Sequence, residues 1–430
     1  MSENPELTGQ VEKLLPGGEA LVRSNSSIFL VSNAVPGDRV TILPAGKRRG
    51  VQRASLQTVD KASIDRIQAA CPVADSCGGC SLQYLNPARH AEIKSEWVLD
   101  LFRNSFNRST LWIPAVEQAS ARRRRVHWSV GEDGDGKFLG FKAGASHNIV
   151  RHQHCMVVSD PLNQLRETVE LKIEQGAFPD VESVQALELS DGIHVIVEFG
   201  SKSENRSESL PDQPDGMKSA INEMQLQWWF RAGSGTIPIT RPVALLHDRI
   251  LLDDVEIDIR VGPDDFVQGQ AEGNREMISQ IVDWSQQAKF VVDLFSGVGN
   301  LSLPIARATG SRVIGAELNL TSVQAANANA KRLGLNAQYR QVNLFETFDA
   351  DSYAGADLII LDPPRRGAKK VCDMMGRLLP AKIIMINCDP ASGGRDADTL
   401  QSLGYRLHTL RALDLFPYAG HVEAMSLWVR

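Results

Sequence analysis

An apolar strand that runs directly into a glycine turn and then a helix constrains this chain more than any other feature. Phe290–Phe295 is apolar apart from Asp293, and Ser296-Gly297-Val298-Gly299-Asn300 follows at once. A strand this apolar needs cover on both faces, and glycines mark backbone that takes positive φ or approaches another group closely. From about residue 266 the alternation repeats. Asn274–Gln287 reads as a helix, another starts after Asn300, and a third spans Thr321 to Leu333, with Thr321 as cap and Gly334 as stop. Arg312–Leu318, Tyr339–Val342, Leu358–Leu361, Ile383–Asn387 and Tyr405–Leu413 read as further strands. This alternation predicts an α/β domain over 266–430 with an open, mostly parallel sheet. The last strand, Ala424–Trp428, follows Phe416-Pro417 so closely that a hairpin would return it antiparallel.

The remainder reads differently. Residues 6–60 contain short apolar runs divided by Pro16-Gly17-Gly18, Asn25 and Pro36-Gly37-Asp38, which predicts a small β-barrel over 1–62. A mixed α+β domain is expected over 63–265. Within it, Ser201–Asp215 has one apolar residue, Leu210, and is expected to be a mobile loop. The six cysteines suit catalysis or metal binding better than disulfides. Cys71, Cys77 and Cys80 are separated by five and two residues, and Cys155 lies in His152-Gln153-His154-Cys155. Four such thiolates suit either zinc or an iron–sulfur cluster, with His154 a competing ligand or a neighbour.

Charge is unevenly distributed. Between Thr41 and Val130 there are 14 Lys/Arg and 7 Asp/Glu, a local net of +7 in a chain of net charge −6. The basic residues gather at Lys47-Arg48-Arg49, Arg53 and Arg122 to Arg125. An overall negative charge excludes a uniformly basic nucleic-acid binder, but this segment suits phosphate as well as plain solvation. Trp128 is either a base-stacking platform or a core aromatic. Met1 to Gln10 is polar and every apolar run is strand-length, so no secretory signal and no membrane helix are expected.

Candidate site residues cluster at predicted strand ends, where ligands bind in open α/β sheets. The turn lacks the third glycine of a dinucleotide fingerprint, since Ser302 stands there. Glu317 closes the next strand, where a carboxylate can accept both hydroxyls of a ribose. Asp362-Pro363-Pro364-Arg365-Arg366-Gly367 ends a later strand, and Cys388 follows the apolar run Ile383–Ile386. Glu423 opens the last strand. Cys388 is otherwise a small buried hydrophobe and Glu423 a surface carboxylate.

The glycine turn with Glu317 resembles the S-adenosylmethionine site of class I, Rossmann-like methyltransferases. Taken with Phe266-Val267-Gln268, Asn343-Leu344, Asp362-Pro363-Pro364-Arg365, Cys388-Asp389-Pro390 and His421-Val422-Glu423, it resembles the uracil-5-methyltransferases of RNA. The resemblance implies S-adenosylmethionine held by Gln268, Phe295, Asn300, Glu317, Asn343 and Asp362, with Cys388 as nucleophile and Glu423 as base. It also implies a [4Fe–4S] cluster on Cys71, Cys77, Cys80 and Cys155, and a TRAM-like RNA-binding barrel at the N-terminus. The expected substrate is ribosomal RNA in preference to transfer RNA, and the expected protein is a cytoplasmic monomer without membrane contact. Gly393-Gly394 and Gln270 depart from the usual pattern. The competing readings are an iron–sulfur RNA-binding protein without catalysis, against which intact Cys388 and Glu423 argue, and an amino-methylating enzyme, which needs no nucleophilic cysteine.

Overall fold

In the computed structural model five strands come first, and in four of them alternate residues point inward, the period-two signature of a half-buried sheet. The five are β1 (Leu7–Leu14), β2 (Ala20–Ser24), β3 (Ser27–Val31), β4 (Arg39–Arg48) and β5 (Val51–Lys61), closed into a barrel in the order β1-β2-β3-β5-β4. Val11, Val22, Phe29, Val31, Val40 and Ile42 fill it. Only four of these strands are legible as sequence, because β5 contributes just Ala54 to the buried core. The description covers residues 5–430 except 49, 117–121, 145, 201–214, 225, 233–234, 241–245, 253–254 and 347. The polar stretch Ser201–Asp215 therefore lies outside the described residues apart from Asp215.

Two short elements follow the barrel, α1 (His90–Phe102) and β6 (Leu111–Ile113), and both join the C-terminal sheet rather than the central one. The central sheet is built from β7 (Arg125–Asp133), β8 (Gly136–Lys142), β9 (Ile149–Arg151), β10 (Val181–Leu189), β11 (Gly192–Phe199), β12 (Gln227–Ala232) and β13 (Gly235–Pro238), with α2 (Asp160–Glu174) and α3 (Asp215–Met224). Trp128, Leu139, Leu162, Val169, Phe178, Ile221 and Trp228 form its core. Trp128 is 1% exposed, so it is a core aromatic and no stacking platform. A hairpin of β14 (Leu246–Leu251) and β15 (Glu256–Val261) then packs Ile250, Ile257 and Ile259 onto the C-terminal body.

That body comprises α4 (Ala271–Trp284), β16 (Phe290–Leu294), α5 (Ser302–Thr309), β17 (Arg312–Glu317), α6 (Leu320–Leu333), β18 (Ala337–Gln341), β19 (Leu358–Leu361), α7 (Lys369–Leu378), β20 (Lys382–Asn387), α8 (Pro390–Ser402), β21 (Arg406–Leu413) and β22 (Glu423–Val429). The sheet order is β18-β17-β16-β19-β20-β22-β21-β6. The strands from β18 through β20 are mutually parallel, while β22 runs antiparallel to both β20 and β21, as the short connection predicts. Strand order reverses between β16 and β19, the switch point at which such sheets open a crevice for ligands. Asn319 rather than Thr321 caps α6: it stands just before the first helical residue, and its carboxamide oxygen accepts from the Thr321 and Ser322 amides. Gly334 ends that helix at φ +65°.

The sheet is covered on both faces. Met277, Ile278, Ile281, Leu303, Val323 and Ala326 cover one. Ile93, Trp97, Phe102, Val371, Met375, Ala397 and Leu400 cover the other, in one core continuous with the barrel. The close approach of α1 and α8 explains Gly394, since a Cβ there would overlap the Leu101 carbonyl oxygen. At Gly393 a Cβ would sit 2.7 Å from the Asn387 side chain. These two glycines are packing requirements of the segment that follows Cys388.

Candidate active site

The carboxyl ends of β16, β17, β18, β19 and β20 bring Phe295, Glu317, Asn343, Asp362 and Cys388 to one edge of the sheet. The glycine turn is held there by its own backbone. Phe295 and Ser296 donate to the Ala316 carbonyl at 2.9 and 3.1 Å, and Phe295 itself takes φ +71°. Gly297 donates its amide to the Glu317 carboxylate at 3.1 Å, and Asn319 donates to the other oxygen at 2.8 Å. Glu317 is thus fixed beside the turn. Beneath it, Ser302 donates to Asp293 at 2.5 Å and meets the Tyr339 hydroxyl at 2.9 Å. Burial pushes the Asp293 carboxyl up to about 7, with the neighbouring Glu317 adding to the rise and the Ser302 bond opposing it. Serine at 302, which breaks the dinucleotide pattern, is therefore a partner of this buried acid.

Asn300 exchanges two amide hydrogen bonds with Asn274 of α4, at 3.0 and 2.8 Å. Gln270 caps α4 by accepting from the Gly273 amide at 2.5 Å, which accounts for glutamine there. Gln268 lies just upstream and is buried, its carbonyl accepting from Arg124 at 2.9 Å. Asn343 accepts from the Phe345 amide at 3.1 Å and so sets the turn that brings the Phe345 ring to 5.3 Å from Phe295. Arg366 lies over the Phe345 ring, 3.1 Å from its centroid. Phe345 and Asn274 escape sequence reasoning. The signals available were an aromatic two residues past a strand-end asparagine, and a buried amide in the first turn of a helix.

The register of β20 against β22 pairs Asn387 with Ala424. The next residues outward, Cys388 and Glu423, therefore face each other across the antiparallel pair. Glu423 is 4% exposed, and burial raises its carboxyl to about 7, with Arg365 acting in the opposite sense. Cys388 is half-buried, and its thiol is pushed up to about 11 by burial, then by Glu423 and Asp362, with Arg365 again opposing. Asp362 is raised well above the usual carboxylate range by burial, then by Glu423 and Asp293. Asp396 pins the segment after Pro364 by accepting from the Ala368 amide at 2.7 Å. The site thus holds a thiol, two carboxyls and an arginine beside a glycine turn.

Comparisons with known proteins bear on this arrangement. The tRNA (uracil-5-)-methyltransferase family matches residues 218–430. The 23S rRNA (uracil(1939)-C(5))-methyltransferase of Pseudomonas aeruginosa is 31% identical over 428 residues, covering 97% of this chain and 93% of its own. That of Marinomonas posidonica is 30% identical over 431 residues, covering 98% and 95%. This chain belongs to the RNA uracil-5-methyltransferase family. A solved structure with the same fold is the Pyrococcus abyssi tRNA (uracil-54, C5)-methyltransferase in complex with S-adenosyl-L-homocysteine, at TM-score 0.76 and 20% identity, covering 98% of this chain and all of that one.

Two further groups acquire meaning within the family. Cys71, Cys77, Cys80 and Cys155 line one cavity of about 320 Å³, shared with Gln83, Arg123 and His152. Burial raises the Cys77, Cys80 and Cys155 thiols, Cys80 to about 11, while Arg123 opposes the rise at all three. His152 is buried and stacked on Phe141, with centroids 4.7 Å apart. The arginine run, by contrast, does not form one basic face. Arg122 is exposed, but Arg124 is buried in a two-pronged pair with Asp248 at 2.6 and 2.9 Å, and Arg125 donates to the Asp265 carbonyl. Arg53 pairs with Glu19. Lys47 and Arg48 are exposed at the end of β4. Among the described residues no helix is long and apolar enough to cross a membrane.

Proposed function

We propose that this protein methylates C5 of one uridine in 23S rRNA, the position named for its bacterial relatives, using Cys388 as nucleophile and Glu423 as base. The observation that carries the reading is that Cys388 and Glu423 each lie one residue beyond the Asn387–Ala424 pair of β20 and β22, close enough for Glu423 to raise the Cys388 thiol, at the strand ends beside the glycine turn. Uracil C5 is too weak a nucleophile to take a methyl group unaided. Addition of a thiolate to C6 turns the ring into an enolate whose C5 is reactive. After methyl transfer C5 carries a proton, and elimination of Cys388 requires its removal by a carboxylate within hydrogen-bond reach. Glu423 is buried, ionises near neutral pH and lies beside the cysteine, so it suits that step. The base must leave its stack to be reached, and Phe266, 61% exposed next to Gln268, is an aromatic face on which RNA bases can stack.

S-adenosylmethionine is the methyl donor. Its binding shell is Gln268, Phe295, Asn300, Glu317, Asn343 and Asp362. Glu317 is fixed to accept ribose hydroxyls, and the tilted Phe295 and Phe345 rings offer apolar surface for a purine. The preference for ribosomal over transfer RNA rests on near-full-length relatives at 30% identity or more, whereas the archaeal tRNA enzyme is alike in fold.

The four cysteines of the N-terminal half fit a [4Fe–4S] cluster. They line one cavity, and a cuboidal cluster brings volume of its own, unlike a single zinc ion. Arg123 supplies positive charge beside thiols that must ionise to bind. The cluster's contribution would be to tie the 71–80 segment to Cys155.

Nucleoside mass spectrometry of RNA from a strain lacking the gene, with mapping of nuclease fragments, tests the reading. One 5-methyluridine should vanish from 23S rRNA and return with the wild-type gene. Intact 23S methylation with loss from transfer RNA would make the substrate assignment wrong.

A further inference from the structure

The loop that delivers Glu423, residues 414–422, is held chiefly by the other half of the chain. Lys94 of α1 is fully buried and donates to the Asp414 carboxylate at 2.6 Å and to the Phe416 carbonyl at 2.9 Å. Asp414, 4% exposed, also accepts from the Phe416 amide at 3.1 Å, so one ammonium and one carboxylate define the first turn of the loop. Leu82, two residues past Cys80, donates to the Tyr418 carbonyl at 2.8 Å, and Gly17 of the barrel donates to the Gly420 carbonyl at the same distance. Arg123 lies 5.3 Å over the Phe416 ring, and the His90 ring meets that of Tyr418 edge-on at 5.3 Å. Gly420 admits no side chain, because a Cβ would overlap the backbone of Gly17. Tyr418 takes φ +61°, a conformation maintained only where the surroundings over-determine it.

We propose that Lys94 is a positioning residue for the proton-removal step: by bridging Asp414 and the Phe416 carbonyl it fixes the loop that places Glu423 beside Cys388. The inference rests on the roles assigned above to Cys388 and Glu423. Among the described residues, Lys94–Asp414 is the ion pair this loop makes, and a buried ion pair sets geometry because each partner is costly to leave alone. The hydrogen bonds of Lys94 go to the loop and not to the nucleophile's own strand. Its loss should therefore spare attack by Cys388 and affect what Glu423 does afterwards.

The test compares wild type, Lys94→Met, the neutral pair Lys94→Met/Asp414→Asn, and Glu423→Gln in single-turnover reactions with S-adenosylmethionine and a 23S rRNA fragment, using the full chain. Formation and decay of the covalent protein–RNA species are followed on denaturing gels, with S-adenosylmethionine binding measured separately. Lys94→Met leaves Asp414 buried and unpaired, so the double variant keeps the question open to decision if the single one folds poorly. The expected result is adduct formation within about twofold of wild type and decay slowed about 10–100-fold, the scale of a misplaced catalytic group. If the folded double variant resolves its adduct at the wild-type rate, or if formation and decay fall together, the inference is wrong. If Glu423→Gln also resolves its adduct normally, the Glu423 assignment itself fails; if Glu423→Gln stalls while the Lys94 variants do not, only the role of Lys94 fails.

Discussion

Burial and two neighbouring carboxyls push the Cys388 thiol up to about 11 in the free protein, so the proposed nucleophile starts out protonated. Arg365 is the group that opposes this rise, so Arg365→Met should raise the thiol further. Adduct formation should then be slower at pH 7.5, and its pH profile should shift to higher pH, as read by quenched-flow trapping. Glu423 works in the other direction. Its carboxyl ionises near 7, so below that pH it carries a proton and cannot accept one. Adduct decay should therefore fall as pH drops from 8 to 6, while Glu423→Asp should keep a pH-dependent decay of reduced rate. Cys388→Ala should abolish methylation and leave S-adenosylmethionine binding within a few-fold by calorimetry, because the proposed cofactor shell does not include it. The proposed nucleophile and base, Cys388 and Glu423, were legible in sequence because one follows and the other opens an apolar strand. Phe345, Asn274 and Lys94 were not, because their significance comes from partners distant in sequence: Lys94 meets a residue 320 positions away.

At the level of elements, the α1–α8 contact is exposed to a single change. Gly394 faces the Leu101 carbonyl too closely for a methyl group, and backbone cannot move aside as a side-chain tip can. Gly394→Ala should cost about 1–3 kcal/mol, the usual scale of overpacking, seen as a lower denaturant midpoint with unchanged slope. The alternation of strands and helices over 266–430 was readable because parallel strands buried on both faces are continuously apolar. The edge strand β6 was not. It spans three residues, and its pairing with β21 joins positions 113 and 411. The fifth barrel strand was hidden for another reason, since a strand with one buried alanine carries no alternation. Thr321 was taken for a cap because it starts the periodic run, whereas Asn319 reaches the two free amides.

Across the whole molecule, the barrel, cysteine segment and catalytic loop meet at one junction, and this alters how RNA binding can be dissected. Deleting residues 1–60 would remove the Gly17 bond to Gly420 and expose the core that Trp97 shares with Leu14, so truncation would disturb catalysis as well as affinity. Point changes are cleaner. Charge reversal at Lys47, Arg48 and Arg122 should weaken RNA binding and flatten its salt dependence, by about 0.7 in slope per lost contact to a single strand, whereas reversal at Arg124 should unfold the interface with Asp248. Anaerobically purified protein should contain iron and sulfide, and zinc in their place would refute the cluster assignment. The most direct test of the central claim uses the wild-type protein, S-adenosylmethionine and a 23S rRNA fragment carrying 5-fluorouridine. Fluorine cannot leave C5 as a proton does, so the reaction should halt as a covalent species. After digestion, mass spectrometry should find methylated 5-fluorouridine on the peptide containing Cys388, at a single site in the rRNA. The absence of any such species under conditions where ordinary RNA is methylated, or its attachment to another residue, would contradict the account.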